Sequence, residues 1–216
     1  MANQTRRLHR KNCLRKTKRL SIEPPLLVGI VSMMKDGSVS QPVRSAFRRL
    51  GYKYNIYKYN THDLYNKICN GVETHWFFTG NLPDFVTDTG APYIDQRIYT
   101  ITNKMILFIC YSHQLAALNA KAIIYTMNTP IIRNIHITYV KDDPIFKELP
   151  KSQDFFAYYT QYISADQPIN GWKLLATHGS HVAAMKHGKN MYSMQVHPER
   201  LDDTLIVLKN WLSMSA

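Results

Sequence analysis

The stretch Met105-Ile-Leu-Phe-Ile109 is apolar without interruption and runs into Cys110. A short run of branched and aromatic residues with no polar alternation is a strand buried in a sheet interior. Others precede it. Leu26-Leu-Val-Gly-Ile-Val31 reads as a first buried strand, Tyr52 to Tyr59 as a second and Trp76-Phe-Phe78 as a third. Helix signals lie between them. Ser40-Gln-Pro42 opens one helix, with a Ser cap and Pro in the first turn. Val43, Phe47 and Leu50 share its face, and Gly51 follows its end. A polar helix is expected over about Thr61 to Cys69, another over Tyr93 to Asn103, and another over Gln114 to Ala120. Strands alternating with helices at this spacing specify βαβ units and a parallel sheet.

The second half changes character. Ile131–Val140, Phe155–Tyr162, Trp172–Ala176, Val182–Met185 and Tyr192–Val196 are successive short strands, expected as an antiparallel extension of the sheet. Asp202 to Leu212 closes the chain as an amphipathic helix with Leu205, Leu208 and Leu212 on one face.

Composition limits the function classes. The 216 residues suit one domain with a full core. No apolar run approaches the roughly 20 residues of a membrane span. Three cysteines, Cys13, Cys69 and Cys110, form no Cys-x-x-Cys pair, which argues for a reducing compartment over a disulfide scaffold. The net charge of +12 is uneven: residues 1–20 carry eight Lys or Arg and no acid, and the rest carries 19 basic and 15 acidic side chains. Residues 1–22 therefore read as a basic, disordered arm ahead of a globular domain at 23–216. The arm lacks the roughly 7–15-residue apolar core of a secretory signal. It suits a nuclear address or a weak RNA or polyanion contact. His178, His181 and His187 have no cysteine or acidic cluster beside them, so turn or surface roles are expected and no metal or cofactor. Tyr52, Tyr54, Tyr57 and Tyr59, interleaved with Lys53 and Lys58, fit an edge strand with one solvated face.

Two segments carry chemistry. Cys110 ends a buried strand and precedes a helix. Ligand sites in α/β sheets lie at such strand ends, and a sharp strand-to-helix turn exposes a nucleophile there. The helix N-terminus favours the thiolate and offers N–H groups to an oxyanion. Downstream, His197 and Glu199 flank Pro198, and in extended chain residues i and i+2 face the same side. A carboxylate so placed orients an imidazole and stabilises its cation. Each segment alone fits a structural role. Together they supply a thiol nucleophile, a base and a residue that orients the base.

The chain resembles the class I glutamine amidotransferases, in particular stand-alone domains similar to the amidotransferase half of GMP synthetase. The resemblance runs from about Leu26 to Leu212. Ile109-Cys-Tyr111 with His113-Gln114 is similar to the nucleophile motif, and Gln195-Val-His-Pro-Glu199 to the His/Glu motif. Asp142 to Pro150, Val86-Thr-Asp88 and Ala91-Pro-Tyr-Ile94 are lesser matches. It implies a flavodoxin-like three-layer α/β sandwich, its central sheet mostly parallel with an antiparallel extension. It also implies a cytoplasmic cysteine amidase that hydrolyses the glutamine side-chain amide through a glutamyl thioester, without a cofactor. Catalysis would fall to Cys110, His197 and Glu199. Tyr111, Gly80 and Asn81 would hold the oxyanion, and Gln114, Gln161 and Tyr162 the substrate. Ammonia would pass to a separate synthetase subunit. Two other readings share the fold: a γ-glutamyl hydrolase or peptidase with the same triad, and an inactive binding protein. The sequence departs from the family pattern at Phe108 and Ser112, where Gly is usual, and at Asn81, where a small residue is usual. A Phe108 or Tyr111 ring over the thiol, or the Asn81 side chain in the oxyanion position, would block turnover.

Overall fold

A computed structural model describes residues 27–82 and 84–216; the basic arm expected at 1–22 lies outside the described residues. The apolar runs pair into one nine-stranded sheet. Its strands are β1 (Leu27–Ser32), β2 (Lys53–Lys58), β3 (His75–Phe78), β4 (Met105–Ile109), β5 (Ile124–Tyr139), β6 (Ser152–Ile163), β7 (Trp172–His178), β8 (His181–His187) and β9 (Met191–Met194). The spatial order is β2-β1-β3-β4-β9-β8-β7-β5-β6. From β2 to β9 neighbours run parallel, and beyond β9 they run antiparallel.

Four helices cover the two faces: α1 (Gln41–Arg49), α2 (Leu64–Asn70), α3 (Tyr111–Asn119) and α4 (Leu205–Leu212). Alternation along the strands divides the core. Phe77 and Leu107 point to one layer, with Phe47 of α1 and Leu208 and Trp211 of α4. Trp76, Phe78, Ile106 and Phe108 point to the other, with Ile68 of α2 and Ala116 of α3. Strands buried on both faces cannot carry polar alternation, which is why they read as continuous apolar runs. Gly51 has a φ of +80° just past α1, a conformation that ends the helix at no steric cost.

Four expectations need correction. Tyr93 to Asn103 is not a full helix. Only Gln96–Thr100 winds, as a 3-10 turn, and Asp95 caps it by accepting the Arg97 N–H at 2.9 Å and the Arg97 guanidinium at 2.6 Å. Local side-chain bonds of this kind compete with helix propagation. The helix placed at Gln114 begins at Tyr111, directly behind the cysteine. Strand β9 is not only part of the antiparallel extension: it pairs parallel to β4 and antiparallel to β8, and so joins the two halves. Strand β5 begins at Ile124, earlier than its apolar core suggests, and its register with β6 shifts between Thr126 and Ile131. Pro130 falls in that irregularity, where its missing N–H costs no ladder bond.

Two smaller expectations fit. The tyrosine-rich β2 is an edge strand. His178 and His181 face each other across the β7–β8 turn. Among the described residues no helix is long and apolar enough to cross a membrane, and no cluster of three or more His, Cys, Asp or Glu could hold a metal ion.

Candidate active site

Three adjacent parallel strands deliver the site at their carboxyl ends. Strand β4 ends at Ile109 and Cys110 follows. Strand β9, its neighbour, ends at Met194 and leads to His197 and Glu199. Strand β3, on the other side of β4, leads to Thr79, Gly80 and Asn81. Adjacency in the sheet brings together residues that are remote in sequence.

The chain reverses sharply at Cys110, which has φ +55° and ψ −106°. A non-glycine residue held there is strained, and such strain clusters at functional sites. Neighbouring groups fix the turn. The Cys110 N–H donates to the Met194 carbonyl at 2.8 Å. The Ser112 hydroxyl accepts the Ile109 N–H at 2.7 Å and donates to the Phe78 carbonyl at 2.9 Å. Ser112 thus stands where glycine is usual and ties the strand end to β3. Phe108 is fully buried in the opposite layer, against Phe78, Tyr99 and Trp172 at ring separations of 5.0, 5.4 and 6.3 Å. The Tyr111 hydroxyl is anchored on the Pro92 carbonyl at 2.7 Å.

His197 is held by its backbone, whose N–H donates to the Phe156 carbonyl of β6 at 2.9 Å. Its Nδ1 lies 2.7 Å from Glu199 Oε1, which leaves Nε2 for the thiol. Burial pushes the imidazole pKa down. The charges of Glu199 and Cys110 and their hydrogen bonds outweigh that and raise it to about 10. The Thr204 hydroxyl donates to the Pro198 carbonyl at 3.0 Å and steadies the segment between imidazole and carboxylate.

Gly80 fills the wedge beside this pair. A β-carbon added there would lie 3.3 Å from Cys110 Cβ and 3.5 Å from His197 Cε1. Next to it, Asn81 is buried and donates its amide to Asp84 at 3.0 Å. The first N–H groups of α3, starting at Tyr111, have no intrahelical acceptor and end beside the thiol.

Two contacts to the sulfur were not evident from sequence. Cys110 Sγ lies 3.3 Å from the Tyr158 carbonyl, to which the thiol donates. Gln195 Nε2 donates to the same sulfur at 3.7 Å. A signal for Gln195 existed: it lies two residues before His197, on the same side of an extended segment. No local signal marks Tyr158, because it arrives from β6 across the fold.

The substrate candidates separate. Gln114 is buried, and its amide donates to the Gln161 carbonyl at 2.6 Å and to Gln195 Oε1 at 3.1 Å. Gln161 borders a cavity beside Cys110, but its side-chain oxygen accepts the Val86 N–H at 2.9 Å. It braces the segment after the Gly80–Asn81 loop. The Tyr162 ring stacks on His181 at 3.9 Å and on Tyr125 at 5.5 Å, and lines neither cavity at the thiol.

Those cavities meet at Cys110, with Asn81, Leu82 and Tyr158 bordering both. One, of about 190 Å³, lies on the side of Tyr111, Gln114 and Gln161. The other, of about 200 Å³, lies on the side of His197 and Glu199 and continues past Arg200 to the start of α1.

Comparison with known proteins agrees with this assembly. The family model for glutamine amidotransferase class-I matches residues 34–204. GMP synthase [glutamine-hydrolyzing] of Caldicellulosiruptor saccharolyticus is 29% identical over 167 residues, which cover 76% of this chain and 31% of that protein. The protein of the same description from Campylobacter jejuni is 29% identical over 119 residues, 54% of this chain and 23% of its own length. The chain thus spans less than a third of the curated relatives it matches. Among solved structures, a candidate GMP synthase subunit of Thermoplasma acidophilum superposes with a TM-score of 0.69 at 19% identity, over 88% of this chain and 94% of that one. A glutamine amidotransferase of Thermotoga maritima gives 0.65 at 14% identity, over 88% and 81%. These likenesses carry the flavodoxin-like fold, and the family match spans both the cysteine elbow and the His/Glu segment: the chain belongs to the class I glutamine amidotransferases.

Proposed function

We propose that the protein hydrolyses the side-chain amide of glutamine, with Cys110 as nucleophile. The observation that carries this reading is the strained Cys110 elbow set beside a His197 already oriented by Glu199 at 2.7 Å. His197 Nε2 takes the thiol proton and Sγ attacks the amide carbon. The carbonyl oxygen becomes an oxyanion, stabilised by N–H groups at Tyr111 and in the Gly80–Asn81 loop. The intermediate collapses, the C–N bond breaks, and His197 returns the proton to the leaving nitrogen, which departs as ammonia. Water, activated by the same imidazole, then cleaves the glutamyl thioester to glutamate and restores the thiol. Glu199 stabilises the imidazolium at each stage. Preorganised donors at the oxyanion supply a large share of such rate enhancements.

The Phe108 and Tyr111 rings are anchored to other groups and the Asn81 amide is held by Asp84, which supports a working elbow over a plugged one. Gln114 and the 190 Å³ cavity would take the glutamyl part. The ammonia would be used by a separate synthetase subunit, since the matched relatives are GMP synthases of which this chain spans only a part. The test is release of ammonia and glutamate from glutamine by the purified protein. Cys110→Ala is expected to abolish both products, while Cys69→Ala is expected to retain them. Equal turnover by Cys110→Ala would sink the proposal.

A further inference from the structure

The His197-side cavity is larger than the proposed reaction requires. In acyl transfer from an amide, the group that receives the imidazole proton is the leaving nitrogen. The leaving group therefore lies on the side of His197, and the acyl group on the side of the Tyr111 N–H and Gln114. Ammonia is about the size of water, whose share of liquid volume is about 30 Å³. The space beside His197 is about 200 Å³.

Its lining is chemically distinct. Met34, Val39 and Val43 form an apolar wall. Arg200 borders the cavity, its guanidinium carbon 4.9 Å from the centre of the Phe156 ring, and among the described residues it makes no ion pair. A guanidinium resting on an aromatic face keeps its N–H fork for a carboxylate. The start of α1 borders the same space. Its cap residue Ser40 makes no side-chain capping bond, and no acidic residue stands in its first turn. Both features favour negative charge. The one acid of the cavity wall, Glu199, is already paired with His197.

We propose that this cavity is a leaving-group subsite for an amino acid, so that the site cleaves γ-glutamyl amino acids at their amide, with Arg200 binding the α-carboxylate of the departing residue. This rests on the Cys110 amidase reading and names its substrate class. The bond that breaks is the γ-glutamyl C–N bond. The proton from His197 goes to the α-nitrogen of the leaving amino acid, and water completes hydrolysis to glutamate.

The test uses the full chain with three substrates: glutamine, γ-glutamyl-leucine, and γ-glutamyl-isoamylamide, which keeps the alkyl group and lacks the carboxylate. The unaltered protein is expected to show a higher kcat/KM for γ-glutamyl-leucine than for glutamine or for the isoamylamide. Arg200→Gln, at an exposed position, should lower the ratio of kcat/KM for γ-glutamyl-leucine over glutamine at least tenfold. It should remove the preference for γ-glutamyl-leucine over the isoamylamide. A ratio unchanged by Arg200→Gln, or a preference for glutamine, overturns the subsite and leaves the amidase reading standing. Calorimetric titration of γ-glutamyl-leucine into Cys110→Ala, with and without Arg200→Gln, needs no turnover. A tenfold loss of affinity there, without hydrolysis of any substrate by the unaltered protein, supports the subsite and removes the amidase reading. Equal affinity in the two variants overturns the subsite.

Discussion

Gln195 Nε2 donates to the sulfur of Cys110 at 3.7 Å, while its Oε1 accepts from Gln114 at 3.1 Å. The buried amide therefore has a fixed orientation: the contact with Gln114 sets which end faces the thiol. A donor aimed at sulfur stabilises negative charge there. Hydrogen bonds to charged groups contribute about 1.5–3 kcal/mol, so Gln195→Leu is expected to reduce kcat at least tenfold. Alkylation of Cys110 by iodoacetamide at neutral pH should slow with it. Unchanged kcat in a folded Gln195→Leu protein would reduce Gln195 to a packing role.

The strain at Cys110 predicts an inverted stability order. At most sites glycine is less stable than alanine, because it loses more backbone entropy on folding. At φ +55° and ψ −106° the steric cost falls on alanine. Cys110→Gly should therefore unfold at higher urea than Cys110→Ala, by about 1 kcal/mol, with both inactive. The ordinary order would mean that the elbow is relaxed.

Phe108 stands where the family pattern has glycine, and its ring is buried among Phe78, Tyr99 and Trp172. Its role is then to fill the layer opposite the thiol. Phe108→Ala should cost about 3–5 kcal/mol, read as a fall in Tm. Activity per folded molecule should stay close to that of the parent below the transition. A gain in activity would instead mark Phe108 as an obstruction.

His75 predicts the acid limit of stability. It is 2% exposed, its Nε2 lies 3.1 Å from the Trp211 carbonyl, and its ring packs edge-on against Trp211 at 4.9 Å. Burial lowers its pKa from 6.5 to about 4. The unfolded chain binds this proton more readily, so the stabilising contribution is complete above pH 6.5 and is lost as pH falls through 4. The loss is on the order of 3 kcal/mol. His113, buried and lowered to about 3, acts in the same direction at still lower pH. His75→Phe should therefore show a smaller fall in Tm between pH 7 and pH 4.5. His197 has the opposite sign: raised to about 10, its contribution is complete below pH 6.5 and lost as pH rises through 10.

What the sequence determined by itself is local. Unbroken apolar runs marked the interior parallel strands, because a strand covered on both faces has no polar positions. Spacing also placed Cys110 at a strand end and put His197 and Glu199 on one side of an extended segment. It overread Tyr93 to Asn103, where the Asp95–Arg97 pair stops the winding. Only the tertiary structure decided which strands became neighbours. The β4–β9 pairing carries His197 to Cys110, and β6 supplies both the Phe156 carbonyl that holds His197 and the Tyr158 carbonyl at the sulfur. Tyr162, four residues further along β6, stacks on His181 away from the thiol, while Arg200, just past the His/Glu segment, reaches the cavity. The physical reason is that periodicity records how much of each face is buried. The order and register of strands follow from packing and hydrogen bonds between segments far apart in the chain.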